Sequence, residues 1–209
     1  MSNMSSTRRE RKRLEKELQD MRAKNAQEGG AVTADAVGEN IQLWEGKILG
    51  PEDSPYNGGI YKINIEIPDD YPYNPPKMKF ATKIWHPNIS SQTGAICLDV
   101  LGKEWSPALS IRTALLSIQA LLSAPEPDDP QDAEVAKQYK SSRDEFLSTA
   151  RYWTETYAIA NGGAATQYEN PHQGKINQIL DMGFTEEQAK DALAQNGFKL
   201  QEAVQSLLG

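Results

Sequence analysis

The chain has 209 residues, of which 38% are hydrophobic and 24% charged, so it can bury a core and is neither fibrous nor disordered as a whole. Its single cysteine excludes an internal disulfide, and two distant histidines give no recognisable zinc spacing, so we expect no bound metal. The glycine pairs match no phosphate-cradling loop or dinucleotide fingerprint, and no apolar run is long enough for a membrane span or secretory signal. We therefore expect an intracellular protein with no bound cofactor and no membrane partner.

The net charge of -7 conceals a basic N-terminal end. Residues 1–24 carry eight Lys/Arg against four Asp/Glu, which leaves 14 basic and 25 acidic residues for the remainder. Leu14, Leu18 and Met21 recur at helical spacing, which predicts an amphipathic helix with a basic outer face. That face is either simply solvated or a docking surface for an acidic protein partner. A nucleic-acid partner is not expected, because the body is acidic and interleaved aromatic residues are absent.

The next part of the chain predicts an antiparallel meander of three strands. No strand is assigned to the polar, glycine-containing residues 25–40, and the strand-like runs are 41–49, 61–68 and 77–82. In the second run Ile63, Ile65 and Ile67 alternate with polar residues, as in a half-buried strand. The prolines of "YPYNPP" predict a rigid bend before the third run.

After Cys97 the apolar period changes from two to 3.6, which predicts a buried helix over 111–122 capped by Ser110. "APEPDDP" ends it, and further helices follow at 131–140 and from Phe146 to Tyr157. We predict an α+β domain at 1–159, a linker at 160–173, and a small all-α three-helix domain at 174–209. The second of those three helices opens with a capping box of Thr185 and Gln188.

Cys97 has three interpretations on local grounds. A lone cysteine is most often a buried core residue. A cysteine protease needs a histidine base, and His86 is the only candidate in this domain, fixed before a proline in "HPN". An acyl carrier needs less, namely a polar donor for an oxyanion, a carboxylate for the incoming amine and an exposed sulfur. Asn88 and the acidic "PEPDDP" loop offer those groups.

Six ordered blocks around this cysteine carry a family resemblance. They are "GPEDSPYNGG", "YPYNPPKMKF", "WHPNI", "TGAICLDVL", "WSPALSI" and "PEPDDPQDAEVAKQY". Over about residues 8–158 the chain resembles the catalytic domain of ubiquitin-conjugating enzymes, although many members have one residue fewer between Asn88 and Cys97. The last segment, with "MGF" and a terminal "LL", resembles a ubiquitin-associated domain. The combination is similar to a subgroup whose known members build lysine-linked polyubiquitin chains that direct proteins to the proteasome.

The resemblance implies roles for particular residues. Cys97 accepts ubiquitin from the ubiquitin-activating enzyme, which consumes ATP upstream, and presents it to a lysine. Asn88 stabilises the neighbouring loop or the oxyanion, Asp129 helps to position the acceptor amine, and Leu116 lies near the active-site groove. His86 is interpreted as a structural residue of the bend. The expected location is the cytoplasm, with the nucleus as a second site.

The resemblance also implies docking surfaces. The expected partners are ubiquitin, the activating enzyme and ubiquitin ligases of the RING or HECT type. The implied surface for the activating enzyme and ligases consists of Lys12, Arg13, Lys16, Tyr73, Pro107 and Ala108. The implied ubiquitin-binding patch of the last segment consists of Met182, Gly183, Phe184, Leu207 and Leu208, although Met182 and Phe184 are equally suited to a small core.

Two other functions remain compatible with the sequence. The first is conjugation of a different ubiquitin-like modifier, against which the terminal segment argues. The second is a catalytically inactive ubiquitin-binding adaptor, which the presence of Cys97, Asn88 and Asp129 disfavours.

Overall fold

The fold begins with a long N-terminal helix and four antiparallel strands. The structure is a computed structural model, and it describes residues 2–28, 30–159, 173–196 and 199–208. Helix α1 spans Ser2–Glu28, and the strands are β1 Val32–Val37, β2 Asn40–Leu49, β3 Ile60–Glu66 and β4 Lys77–Phe80. The strands pair in chain order, which confirms the predicted meander and the α+β class. Leu14 and Met21 of α1 are buried, as the apolar stripe predicted.

The sheet has four strands and not the three predicted, because β1 was not recognised in the sequence. It lies inside the passage to which no strand was assigned, and it pairs with β2 from Val32↔Ile48 to Val37↔Asn40. Val32 and Ala34 point into the core at period two, but the small alanines gave too weak an apolar signal to be recognised as a strand. Gly38, at φ +62, makes the turn into β2.

Helix α2, Ile111–Ser123, covers the inner face of the sheet. Ser110 caps it through a capping box with Thr113, and its apolar face is buried as predicted. The close approach of α2 to the sheet depends on Gly46 of β2, because a Cβ there would lie 3.2 Å from Leu115 Cδ2. The buried residues of α2 are Ile111, Ala114, Leu115, Ile118, Leu121 and Leu122.

The elements that follow the sheet up to residue 158 are helical and are joined by loops. A short 3-10 helix, Asp99–Leu101, follows Cys97, and α3 (Ala133–Ser141) and α4 (Arg143–Trp153) follow α2, with a π-helical turn at Thr154–Ala158. The bend that separates β3 from β4 contains a cis Tyr71-Pro72 peptide bond. None of the helices in the described ranges is long and apolar enough to cross a membrane.

The chain divides into two compact units, residues 1–163 and 164–209. The second contains α5 Gln173–Asp181, α6 Glu186–Gln195 and α7 Leu200–Leu208. Its small core includes Ile176, Ile179, Ala189, Leu193 and Ala203. Thr185 and Gln188 form the predicted capping box at the start of α6. Of the predicted linker, residues 160–172 lie outside the described residues.

Candidate active site

Cys97 lies at the wall of an open groove of about 410 Å³ on the first unit. The cysteine is half-buried and lies two residues before the start of the 3-10 helix, so it does not fill a core position. Four carboxylates share the groove with it, and such a setting favours cations over anions. The other lining residues are Leu98, Asp99, Val100, Glu104, Ser117, Glu126 and Asp129.

His86 has a structural role in the bend that precedes the cysteine. Its side chain is fully buried, and its Nδ1 accepts a hydrogen bond from the Asn88 N–H at 3.0 Å. The other ring nitrogen, Nε2, therefore carries the proton and donates it to the Leu121 carbonyl at 3.0 Å. Burial lowers the His86 pKa to about 4, so the ring is neutral at physiological pH. With both nitrogens engaged, His86 is not available as a base for Cys97.

Asn88 fastens the acidic loop to the bend. Its side-chain oxygen accepts the Glu126 N–H at 2.8 Å, and its Nδ2 donates to the carbonyls of Glu126 at 2.8 Å and Asp129 at 2.9 Å. Both amide hydrogens are thus used inside the protein, and Asn88 is almost completely buried. Of the two implied roles, this geometry favours support of the loop over donation to an oxyanion, which would require one of these bonds to break.

Asp129 faces the sulfur from this loop. The Cys97 thiol points toward Asp129 Oδ2, with 3.9 Å between Sγ and the oxygen. The neighbouring Asp128 instead turns outward and pairs with Lys140 of α3 at 2.7 Å. The acidic loop therefore folds back over the sulfur, as the sequence suggested, and it presents one of its two adjacent aspartates to the groove.

The groove disfavours the thiolate. Burial raises the pKa of the Cys97 thiol, and the nearby charges of Asp129, Asp99 and Glu126 raise it further. Lys103 pairs with Asp99 at 3.0 Å, which leaves that carboxylate partly compensated. The thiol is therefore protonated at neutral pH. Asp99 and Glu104 were not among the predicted site residues, although the acidic residues of "CLDVLGKE" closely follow the cysteine.

Leu116 lies beside the groove on α2. Its side chain is 38% exposed, and the next residue, Ser117, belongs to the lining. Leu116 itself is not among the residues that line the groove, where α2 contributes Ser117, so its expected role there stays a prediction.

Among the residues expected to dock partners, Arg13 differs from the rest. Its guanidinium donates to the carbonyls of Pro107 and Leu109, both at 2.6 Å, and to Glu17 at 2.9 Å. Arg13 thus holds the 107–109 loop against α1 through these hydrogen bonds. Lys12 and Lys16 on the same helix are exposed, as are Tyr73, Pro107 and Ala108, with 72% of Tyr73 accessible.

Glu17 is a connecting residue that sequence analysis did not single out. Its carboxylate accepts hydrogen bonds from the Tyr71 hydroxyl at 2.8 Å and from the Ile111 N–H at 2.9 Å, as well as from Arg13. It therefore joins α1, the bend before β4 and the first turn of α2. The Arg13–Glu17 spacing of four residues was the available signal, since such pairs meet on one helix face.

In the second unit, the implied ubiquitin-binding residues are accessible to different degrees. Met182 is 56% and Leu208 73% exposed, so neither is a core residue. Gly183 adopts φ +93 after α5, and Phe184 and Leu207 are half-buried. Within the described ranges of both units, no group of three or more His, Cys, Asp or Glu side chains could hold a metal ion.

Most of this chain is similar to known proteins. A family model described as ubiquitin-conjugating enzyme matches residues 13–154. Ubiquitin-conjugating enzyme E2 27 of Arabidopsis thaliana is 49% identical over 185 residues, covering 88% of this chain and 91% of the relative. Ubiquitin-conjugating enzyme E2 K of Homo sapiens is 45% identical over 196 residues, covering 94% and 96%.

A solved structure extends the likeness to three dimensions. The E2 domain of a Toxoplasma gondii ubiquitin conjugating enzyme is 60% identical and superposes with a TM-score of 0.67, covering 71% of this chain and 99% of that domain. An α+β fold of the same kind, a groove built around one cysteine and relatives that match almost from end to end lead to one assignment: the chain belongs to the family of ubiquitin-conjugating enzymes.

Proposed function

We propose that Cys97 carries ubiquitin as a thioester and transfers it to lysine amines, extending lysine-linked polyubiquitin chains of the type that signals proteasomal degradation. The observation that carries this proposal is the position of Cys97 in an acidic groove, with Asp129 Oδ2 at 3.9 Å from the sulfur. It is the only cysteine of the chain, so no other thiol competes for the acyl group.

Loading is an exchange between two thiols. The Cys97 thiolate attacks the carbonyl carbon of ubiquitin's C-terminal glycine on the activating enzyme, a new C–S bond forms, and the activating enzyme's thiolate leaves. Since burial and the carboxylates of the groove raise the Cys97 pKa, little of the free thiol is ionised. The thiolate that does form is correspondingly nucleophilic, because nucleophilicity rises with thiol pKa.

Transfer requires a neutral amine at the same carbon. The amine nitrogen forms a bond to the thioester carbon, the C–S bond breaks, Cys97 leaves as the thiolate and a proton is lost from the nitrogen. The carboxylates of the groove attract the lysine as its ammonium ion, and Asp129, the one that contacts the sulfur, orients the amine or accepts its proton. A high thiol pKa also makes sulfur a slower leaving group, which protects the thioester until an oriented amine arrives.

The proposed docking surfaces consist mainly of exposed side chains. Lys12 and Lys16 present the basic face of α1 to the activating enzyme and to ligases. Tyr73 and the Pro107-Ala108 pair form the apolar contact for RING-type ligases, and HECT-type ligases use the same surface. Arg13 supports this docking surface by holding the 107–109 loop through hydrogen bonds to its backbone.

We further propose that the second unit binds ubiquitin. Met182 and Leu208 expose large apolar side chains, which are available for contact with an apolar surface of ubiquitin. Gly183, Phe184 and Leu207 complete the surface. Holding ubiquitin there raises its effective concentration and favours longer chains.

A loading assay with activating enzyme, ATP and ubiquitin tests the nucleophile. The wild-type chain should form an adduct that a thiol reductant removes, and Cys97→Ala should form none. Because the variant has no thiol at all, a reductant-sensitive adduct in it would contradict the proposal. Loading with other ubiquitin-like modifiers, compared in the same assay, tests the choice of ubiquitin.

Chain formation tests the second unit and the linkage. Met182→Glu in the full chain should weaken ubiquitin binding and shorten the chains, whereas Gln178→Glu, an exposed change on α5, should not. Mass spectrometry of the chains identifies the lysine used. Unchanged binding and chain length in Met182→Glu would remove the role proposed for this surface, and a different linkage would remove the proteasomal signal.

A further inference from the structure

The loop that carries Asp129 is fastened at both ends to residues 87–91, which precede the cysteine. Asn88 holds one end through Glu126 and Asp129, as described above. At the other end the carbonyl of Pro87 accepts the backbone N–H groups of Gln131 and Asp132, both at 2.9 Å. Asp129 lies between these two attachments, so its position depends on both.

Asp132 makes the second attachment with its side chain. Its Oδ2 accepts the Ser91 N–H at 3.0 Å and the Ser91 hydroxyl at 2.7 Å. Its Oδ1 accepts the Val135 N–H at 3.2 Å and so caps α3. One carboxylate therefore connects the loop, the first turn of α3 and the segment before Cys97, and a charged acceptor makes these bonds stronger than neutral ones.

Ser91 offers its two donors from a rigid frame. The turn that contains it is closed by the bonds Gly94 N–H to Ser90 carbonyl and Ser90 N–H to Ala95 carbonyl, both at 2.9 Å. The Phe80 N–H of β4 donates to the Gly94 carbonyl at 2.9 Å. Gly94, at φ +71, packs so closely on β4 that a Cβ would overlap the Phe80 carbonyl. The turn is thus fixed to the sheet.

We propose that Ser91 and Asp132 form a clamp that positions the Asp129 carboxylate beside Cys97 Sγ. Ser91 is then a positioning residue: it touches neither the sulfur nor the acceptor amine and acts through Asp132. The catalytic value of the clamp rests on the role proposed for Asp129 in amine transfer, but its effect on the position of Asp129 does not.

The unloaded, full-length enzyme tests the clamp through the rate at which iodoacetamide alkylates Cys97. Asp129 disfavours the thiolate, so releasing the loop increases the thiolate fraction and the rate. At neutral pH we expect Ser91→Ala to react at least about twofold faster than wild type, with its rate profile moved to lower pH. The matched control is Ser90→Ala, which removes a neighbouring hydroxyl that accepts the Thr93 N–H within the turn. It should react at the wild-type rate.

The Asp129→Asn protein shows whether Ser91→Ala acts by displacing the Asp129 carboxylate or by loosening the groove in general. In Asp129→Asn, where the charge is already absent, adding Ser91→Ala should give no further acceleration. Asp132→Ser, which keeps a hydroxyl to cap α3, should accelerate alkylation as Ser91→Ala does. Alkylation of Ser91→Ala at the wild-type rate would overturn the clamp, and so would equal acceleration with and without Asp129.

The loaded enzyme separates this inference from the proposed function. If Asp129 acts on the amine, Ser91→Ala should also slow discharge to free lysine. If alkylation accelerates while discharge stays unchanged, the clamp stands and the role of Asp129 in transfer fails.

Discussion

The bend at residues 86–88 and the groove around Cys97 are close in sequence, but they differ in how their polar groups are hydrogen-bonded. In the bend, both ring nitrogens of His86 and the whole side-chain amide of Asn88 are satisfied by protein partners in a buried setting. In the groove, the Cys97 sulfur has one long contact with Asp129 and faces an open space of about 410 Å³. The polar groups of the bend are used to hold geometry, whereas those of the groove face the space that a substrate enters.

This difference explains why the histidine is not the catalytic base. A buried, neutral ring with two fixed hydrogen bonds resists taking up a proton, and its lowered pKa expresses that resistance. The groove instead gathers carboxylates, which suit an incoming ammonium ion and oppose ionisation of the thiol. Each of the following changes tests one side of this contrast.

The largest effect is expected in the groove from Cys97→Ser. An oxygen nucleophile forms an ester that a thiol reductant does not cleave, and alkoxide leaves less readily than thiolate. The ubiquitin adduct should therefore survive reductant, and its discharge to lysine should be slower by more than about tenfold. Gel analysis of adduct and discharge with and without reductant measures both. A serine variant that discharged at the wild-type rate would show that sulfur is not the leaving atom.

In the bend, His86 should make stability depend on pH. Its pKa is about 4 in the folded chain against 6.5 for an ordinary histidine, so between these values the unfolded state binds the extra proton. The free energy of unfolding should therefore fall by about 3 kcal/mol as pH drops from about 7 to about 4, from this residue alone. Urea unfolding at several pH values measures the fall.

The variant His86→Gln isolates that contribution. Glutamine does not titrate, and it can still donate to the Leu121 carbonyl. The variant should be less stable at neutral pH but should lose less stability on acidification than wild type. Equal losses in the two proteins would mean that His86 takes up its proton in the folded state at an ordinary pH.

Removing the other anchor of the bend, with Asn88→Ala, should cost about 2 kcal/mol of unfolding free energy, because three hydrogen bonds between the buried Asn88 side chain and the backbone of Glu126 and Asp129 are lost. It should also slow discharge, since the acidic loop is released. Asn64→Ala, an exposed change on β3, is the control for the urea measurement. Full stability in Asn88→Ala would show that the loop is held without it.

Local patterns predicted the elements that support the site. The alternation of Ile63, Ile65 and Ile67 and the cap at Ser110 each follow from a few neighbouring residues, and both are present. Strand β1 escaped recognition because alanines carry little apolar signal and its pairing with β2 is a long-range property.

The groove could be predicted only in part. Cys97 and the acidic loop were recognised, but the convergence of Asp99 and Glu104 with Glu126 on one space depends on how two separate segments pack. Arg13 shows the same limit, because its charge suggested an outward docking residue and only the fold reveals the backbone carbonyls that bind it. Sequence patterns identify residue types and local elements, whereas tertiary packing decides which polar groups form hydrogen bonds within the protein.

The smallest effect is expected from Asp129→Asn in the loaded enzyme. The thioester has no thiol to titrate, so the variant reports the action of Asp129 on the acceptor amine alone. Loss of the carboxylate should slow discharge to free lysine by about tenfold, because a neutral amide neither attracts the ammonium ion nor accepts its proton. Asp128→Asn is the matched control, since it removes an adjacent carboxylate that pairs with Lys140 outside the groove. Rates measured against pH should show the largest difference below the pKa of the lysine, where the amine still has to lose its proton. Equal rates for the two variants would mean that the groove acts through its summed charge, and that the contact between Asp129 and Cys97 has no separate part in transfer.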